Sequence, residues 1–261
     1  MTISPEQITF TGKLVLVTGA AQGLGEAMVR SFAAFGADVA VCDRKEAQLA
    51  ALAAELRDGG TIVHDRVLDV RDGPAVDAWV GEFDRVDVLV NNAGGGFWSP
   101  FMDVRPKGQA SLVDENFTSV TNFVRACVPK MAPGSSIINV TSVEAFRAAP
   151  GFGIYAAMKA AVEQLSRTLA LELSDRRIRV NTIAPDAIST PGDESLQEAV
   201  DGSTYGEHVP LGWGDTDDCA GAAIYLASVL GKWITGTTIH VDGGTDAARG
   251  WRRGAYGIWE P

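Results

Sequence analysis

The chain has 261 residues, 46% of them hydrophobic and 21% charged, a balance found in ordinary globular proteins and not in disordered or collagen-like chains. Its formal net charge of −11 argues against nucleic acid and anionic membrane surfaces as partners, since both call for basic patches. No run approaches the roughly 18 consecutive apolar residues of a membrane span, and the first residues lack a basic region followed by an apolar core, so a cytoplasmic location is expected.

The elements alternate from the start. KLVLVTG (13–19) is a short apolar strand. It runs into AAQGLGEAMVRSFAAFG, whose apolar residues Leu24, Met28, Phe32 and Phe35 recur at helical spacing until Gly36. Strands are predicted at 38–43, 61–70 and 86–94, with helices at 45–57 and 72–83 between them. The second half repeats the rhythm: helix 107–131, strand 135–142, helix 152–173, strand 178–185, helix 217–227 and strand 237–244. Runs that are apolar throughout, such as LVLV and DVLV, suit strands covered on both faces. Seven strands, six helices and no linker predict a single α/β domain over 1–261, a Rossmann-type doubly wound parallel sheet with helices on both faces. Cys42, Cys127 and Cys219 are far apart and none forms a C-x-x-C pair. They read as reduced structural thiols, and no metal site is expected.

Two stretches carry chemistry. TGAAQGLG (18–25) joins the first strand to the first helix, and Gly19, Gly23 and Gly25 let the backbone turn tightly and approach a pyrophosphate facing the helix N-terminus. Asp43 ends the second strand eighteen residues after Gly25, where an acid binds both ribose hydroxyls of an adenosine and repels an extra 2′-phosphate. This favours NAD over NADP, although Arg44 offers an alternative grip for a phosphate. The second stretch is Ser142 to Lys159. Tyr155 and Lys159 stand four residues apart, on one face of a helix. A lysine ammonium one turn away favours the phenolate of a tyrosine, whose ordinary pKa is about 10. Ser142, at the end of a strand, adds a second hydroxyl, so the set supplies a general acid/base and a hydrogen-bond donor for one oxygen.

With these pieces in order, the chain resembles the short-chain dehydrogenase/reductase family. The likeness is carried by TGAAQGLG at 18–25, Asp43, Asp69-Val70, NNAG at 91–94, Asn116, Ser142, YAAMK at 155–159, Pro185 with Thr190, and VDGG at 241–244. It implies that Tyr155 exchanges a proton with the substrate oxygen, that Ser142 holds that oxygen, and that Lys159 grips the nicotinamide ribose. Asn116 would hold a water linking Lys159 to solvent. Gly19, Gln22, Gly23, Leu24 and Gly25 would cradle the pyrophosphate. Asp69 and Val70 would hold the adenine, Asn92, Ala93 and Gly94 the ribose region, and Pro185, Ile188 and Thr190 the carboxamide end. Gln22 stands where many NADP-using members carry a basic residue, in agreement with Asp43. The resemblance also implies a homotetramer in which helices 107–131 and 152–173 pair across subunits.

One departure is Asp186, which follows Pro185 where the family commonly has glycine. Its carboxylate either favours the positive, oxidised nicotinamide or points away. Candidate pocket residues are Trp98, Glu144, Phe146 and Asp186, joined by the stretch 192–213 and by the tail 246–261, which carries Trp251, Tyr256, Trp259 and three arginines. The tail is expected to cover the pocket, dock on a neighbouring subunit, or both. Aromatic walls suit a bulky, largely apolar secondary alcohol or ketone, alicyclic or steroid-like. The alternatives are reduction of a 3-oxoacyl thioester on acyl carrier protein or coenzyme A, and, from another class, a non-catalytic dinucleotide-binding redox sensor.

Overall fold

A computed structural model describes residues 4–191, 205–254 and 258–260. Residues 192–204 of the candidate pocket stretch, and Tyr256 of the tail, lie outside the described residues.

Seven strands, β1 (Leu14–Thr18), β2 (Asp38–Asp43), β3 (Val63–Val67), β4 (Val88–Asn91), β5 (Ser136–Val140), β6 (Arg179–Pro185) and β7 (Thr238–Val241), form one sheet in the order β3-β2-β1-β4-β5-β6-β7. Every pairing in it is parallel. The crossovers are α1 (Gly23–Ala34), α2 (Glu46–Asp58), α3 (Gly73–Gly81), α4 (Pro106–Val113) with α5 (Ser119–Cys127), α6 (Gly153–Glu172) and α7 (Thr216–Ala227). Alternate residues of each strand face opposite layers. Val15 and Val17 pack with Met28, Phe32, Leu49 and Ile224 under α1, α2 and α7. Leu16 and Leu89 pack with Val76, Trp79, Phe123 and Val162 under α3, α5 and α6. Because both faces are covered, β1 and β4 are apolar up to their last residues, and β5 is buried at every position.

The chain runs outward from β1 to β2 and β3, then returns to place β4 on the other side of β1. This reversal opens a crevice at the carboxyl ends of β1 and β4, the place where open α/β sheets bind ligands.

The helix expected over 107–131 is present but not regular. The stretch is helical from Pro106 to Lys130, but α4 passes through a π-helical turn at Asp114–Thr118 into α5, and the last turn, Val128–Lys130, is a tighter 3-10 turn. The cause of the π-helical turn is Asn116. Its side-chain Nδ2 donates to the carbonyl of Leu112, four residues back, and competes for the acceptor that a regular helix gives to a backbone N–H. The third strand is also shorter than 61–70, since it lies at the sheet edge and Val67 is already exposed.

The tail folds back. A short helix α8 (Thr245–Ala248) leads to β8 (Arg252–Arg253), which pairs antiparallel with β9 (Trp259–Glu260). All three cysteines are free and buried. Burial pushes the thiols of Cys127 and Cys219 up to about 12 and that of Cys42 higher still, so none is a ready nucleophile. Among the described residues no helix is long and apolar enough to cross a membrane.

Candidate active site

A cleft of about 580 Å³ lies along the carboxyl ends of the strands. Its glycine-rich end is built by the β1–α1 turn. Gly19 and Gly23 take φ of 65° and 59°, a region that side chains strain to adopt. A Cβ on Gly19 would lie 2.8 Å from the Ala93 Cα, and one on Gly25 would lie 2.1 Å from the Gly19 carbonyl oxygen. Gly25 therefore permits close packing behind the turn and does not itself line the cleft, whereas Gly19, Gln22, Gly23 and Leu24 do. The turn is tied to the exit of β4. Thr18 Oγ1 accepts from the N–H groups of Asn92 and Ala93, and Asn92 Nδ2 donates to the carbonyls of Thr18 and Gly19.

Asp43 lines the cleft at the end of β2, one oxygen accepting from the Ala21 N–H at 3.0 Å and the other from the Lys45 N–H at 2.9 Å. Both neighbouring cations are engaged. Arg44 pairs with Glu115 at 3.0 Å, and the Lys45 ammonium is held by Gln22. Val70 lines the cleft beside Leu68, but Asp69 does not. Its carboxylate turns to Arg71, whose hydrogen bonds hold it below the usual carboxylate range.

At the other end, α6 begins at Gly153, so Tyr155 sits in its first turn, where the helix dipole favours negative charge. Lys159 follows one turn later and is buried. Its ammonium donates to the Val140 carbonyl at 2.9 Å and stands 5.5 Å from the centre of the Tyr155 ring. Burial lowers its pKa to about 8, partly offset by the charge of Glu115. Ser142 Oγ accepts from the Glu144 N–H at 3.2 Å. That acceptor role leaves the hydroxyl proton for an oxygen in the cleft.

The loop after β4 is pressed against this group. A Cβ on Gly96 would meet the Tyr155 ring at 3.2 Å, and one on Gly94 would lie 2.8 Å from Asn116 Oδ1 and 3.1 Å from Lys159 Nζ. Asn116 backs the loop instead of lining the cleft: its amide brackets Gly95, accepting from the N–H at 3.1 Å and donating to the carbonyl at 2.8 Å.

Beyond Pro185 the chain turns through Ala187, a non-glycine residue at φ 50°. The turn brings Asp186, Ile188 and Thr190 to the cleft wall, with Thr190 lying over Gly23. Asp186 does not stand alone. Tyr205 donates to it at 2.8 Å, and Arg147 bridges Glu144 at 2.7 Å, Tyr205 Oη at 2.7 Å and Asp186 at 3.4 Å. Burial, with the charge of Asp186, pushes the Tyr205 phenol up to about 12, so it stays a donor.

Of the four candidate pocket residues, Glu144 and Asp186 line the cleft, with Phe152, Tyr205 and Trp213, while Trp98 and Phe146 do not. Trp98 lies against Gly151 and is half exposed. Phe146 packs at a tilt against His240 with ring centres 4.7 Å apart and lines a separate cavity with Arg147, His208 and Trp251. A tight turn at Val143–Ala145 divides them: Glu144 falls on its cleft side, and Phe146 follows on the far side. Spacing in the sequence does not reveal that division. Lys45, Gly95 and Gly96 also line the cleft and were absent from the expected set, although the run of three glycines at 94–96 was a visible signal.

Comparison with known proteins agrees with this geometry. A protein family described as enoyl-(acyl carrier protein) reductase matches residues 19–246. A 3-oxoacyl-[acyl-carrier-protein] reductase FabG of Thermotoga maritima is 36% identical, covering 89% of this chain and 97% of that one. A 3beta-hydroxysteroid dehydrogenase 1 of Eggerthella lenta is 37% identical, over 93% and 97% of the two chains. The crystal structure of a gluconate 5-dehydrogenase from Burkholderia cenocepacia, in complex with NADP and tartrate, superposes with a TM-score of 0.87 at 31% identity, covering 93% of this chain and 98% of that one. The chain belongs to the short-chain dehydrogenase/reductase family, oxidoreductases that act on CH–OH groups and bind a nicotinamide dinucleotide.

Proposed function

We propose that the protein oxidises a bulky alicyclic secondary alcohol to the ketone, with NAD as its cofactor. The observation that carries the chemistry is the buried ammonium of Lys159, fixed by Val140 beneath Tyr155 in the first turn of α6. Both the cation and the helix N-terminus favour the phenolate. Tyr155 takes the hydroxyl proton of the alcohol, and Ser142 donates to the same oxygen and orients it. When bound, the nicotinamide supplies the acceptor for hydride. Lys159 and Thr190 would hold the nicotinamide ribose and carboxamide, and Tyr155 afterwards gives its proton to solvent through a water near Lys159 and Asn116.

The cradle fits a dinucleotide: a Cβ at Gly19 would close it, and the N-terminus of α1 faces the same space. The preference for NAD rests on Asp43 at the cleft wall and on Arg44 and Lys45 being already engaged by Glu115 and Gln22. Relatives that bind NADP, such as the gluconate 5-dehydrogenase, make this the first point to test. Titration of NADH and NADPH into the protein should give at least tenfold tighter NADH binding, and Asp43→Ala should narrow that ratio. Tighter NADPH binding would overturn the preference and assign Arg44 to the phosphate. Tyr155→Phe should bind NADH as the wild type does and lose roughly 10²–10⁴-fold in kcat.

The second reading, 3-oxoacyl-thioester reduction, is favoured by the likeness to FabG. At the substrate end Arg147 is already engaged by Glu144 and Asp186, so it offers little hold for the phosphates of such a carrier. Exposed Phe101, Met102, Leu171 and Trp233 support assembly into a homotetramer.

A further inference from the structure

At the substrate end of the cleft, Glu144 Oε1 receives both hydrogen bonds from Arg147, from Nη2 at 2.7 Å and Nε at 3.3 Å. Among the described residues Glu144 Oε2 takes none, although the side chain lines the cleft and is 21% exposed. Arg147 is in turn held by Tyr205 and Asp186, and Tyr205 is fixed between them. Four side chains from three separated segments thus converge to present one unfilled carboxylate oxygen beside Ser142. A carboxylate accepts up to about four hydrogen bonds and donates none. The group that fits it is a hydroxyl, and Arg147 keeps the pair too nearly neutral to select for a cation.

We propose that Glu144 reads a second hydroxyl on the substrate, so that the protein acts on diols or hydroxyketones in preference to simple alcohols, with Arg147 and Tyr205 as positioning residues. The proposal rests on the oxidoreductase reading above and names its substrate class. The ring of the substrate would lie against Phe152 and Trp213, which line the same end, while the two oxygens point to Ser142 and Glu144. A site built to hydrogen-bond a hydroxyl rejects the analogue that lacks it, because the polar group is then left unpaired.

The test compares matched pairs with NAD: mono-ols of five- to eight-membered rings against their 1,2- and 1,3-diols. For the wild type, kcat/KM should favour a diol by at least tenfold in one or more pairs, through KM more than kcat. A single hydrogen bond to a charged group corresponds to roughly 10- to 100-fold, so Glu144→Ala should collapse the diol-to-mono-ol ratio by that factor. Glu144→Gln, which keeps a neutral acceptor and the side-chain volume, should collapse it less and guards against a folding defect in the alanine variant. Equal ratios in the wild type, or a ratio retained in both variants, would overturn the proposal. Turnover of neither alcohol would count against the dehydrogenase reading alone. The subsite would then be judged on the Tyr155→Phe–NADH complex, where quenching of NADH fluorescence must show 2-hydroxycyclohexanone binding about tenfold more tightly than cyclohexanone. Equal binding there overturns the subsite.

Discussion

Burying the Lys159 ammonium against β5 lowers its pKa from 10.5 to about 8, which corresponds to roughly 3 kcal/mol of lost stability. The sign follows from the proton count. Below pH 8 folded and unfolded chains both carry the proton, and the full cost is present. Between pH 8 and about 10.5 the folded chain has released it while the unfolded chain keeps it, so stability rises with pH through that window. Urea unfolding of the cofactor-free protein should therefore find Lys159→Met more stable than the wild type at pH 7.5, with a smaller margin at pH 10. An equal margin at both pH values would assign the gain to packing instead of charge. The same residue scale shows what the sequence made legible. Tyr155, Lys159, Ser142 and Asp43 announce themselves because their chemistry needs those side chains at those intervals. The contacts of Tyr205 and Arg147 with Asp186 do not, because they form only through folding, across 19 and 39 residues of chain. Asp69 stands at a motif position, yet Arg71, two residues on, holds its carboxylate outside the cleft, and Phe146 packs instead against His240 of β7.

At the scale of elements, the strand–turn–helix unit of β1 and α1 is the most tightly specified part of the molecule. Gly25 is helical and tolerates any side chain by its own backbone. The space fails it, since a Cβ would lie 2.1 Å from the Gly19 carbonyl oxygen and 2.6 Å from Asn92 Nδ2. Gly25→Ala should push the turn away from β4, lower stability by about 1–3 kcal/mol as other overpacking substitutions do, and weaken NADH binding more than tenfold. Thermal unfolding with and without NADH measures both effects, and an unchanged melting temperature would refute the packing argument. The parallel order of the sheet was legible because apolar runs alternate with helical spacing throughout. The π-helical turn at Asp114–Thr118 was not. Its cause is one side chain competing with the backbone, and hydrophobic periodicity continues across it from Leu112 to Val120 and Phe123.

For the whole molecule, the proposed homotetramer is the point to test. Met102 is 88% exposed and Trp233 94%, and contact between copies of the chain would take such side chains out of water. Sedimentation at micromolar concentration should show a species near four times the chain mass of 27.5 kDa, and a species of one chain mass would rule the tetramer out. The tail was legible as something that does not float free, and its small β8–β9 pairing and the cavity lined by Phe146 and Trp251 show that it folds onto its own chain. Its partners were not legible, because they come from the turns after β5 and before α7.

The four hydrogen bonds that tie Thr18 and Asn92 across the β1–β4 reversal have a consequence for redesign. They anchor the glycine turn to β4, while a second set of contacts ties it to the end of β2, where Asp43 accepts from the Ala21 N–H and Gln22 holds the Lys45 ammonium. Substitutions at residues 43–45 meant to change the coenzyme would therefore also remove contacts that hold the turn, and a redesign has to replace those contacts while it leaves the ties to β4 in place.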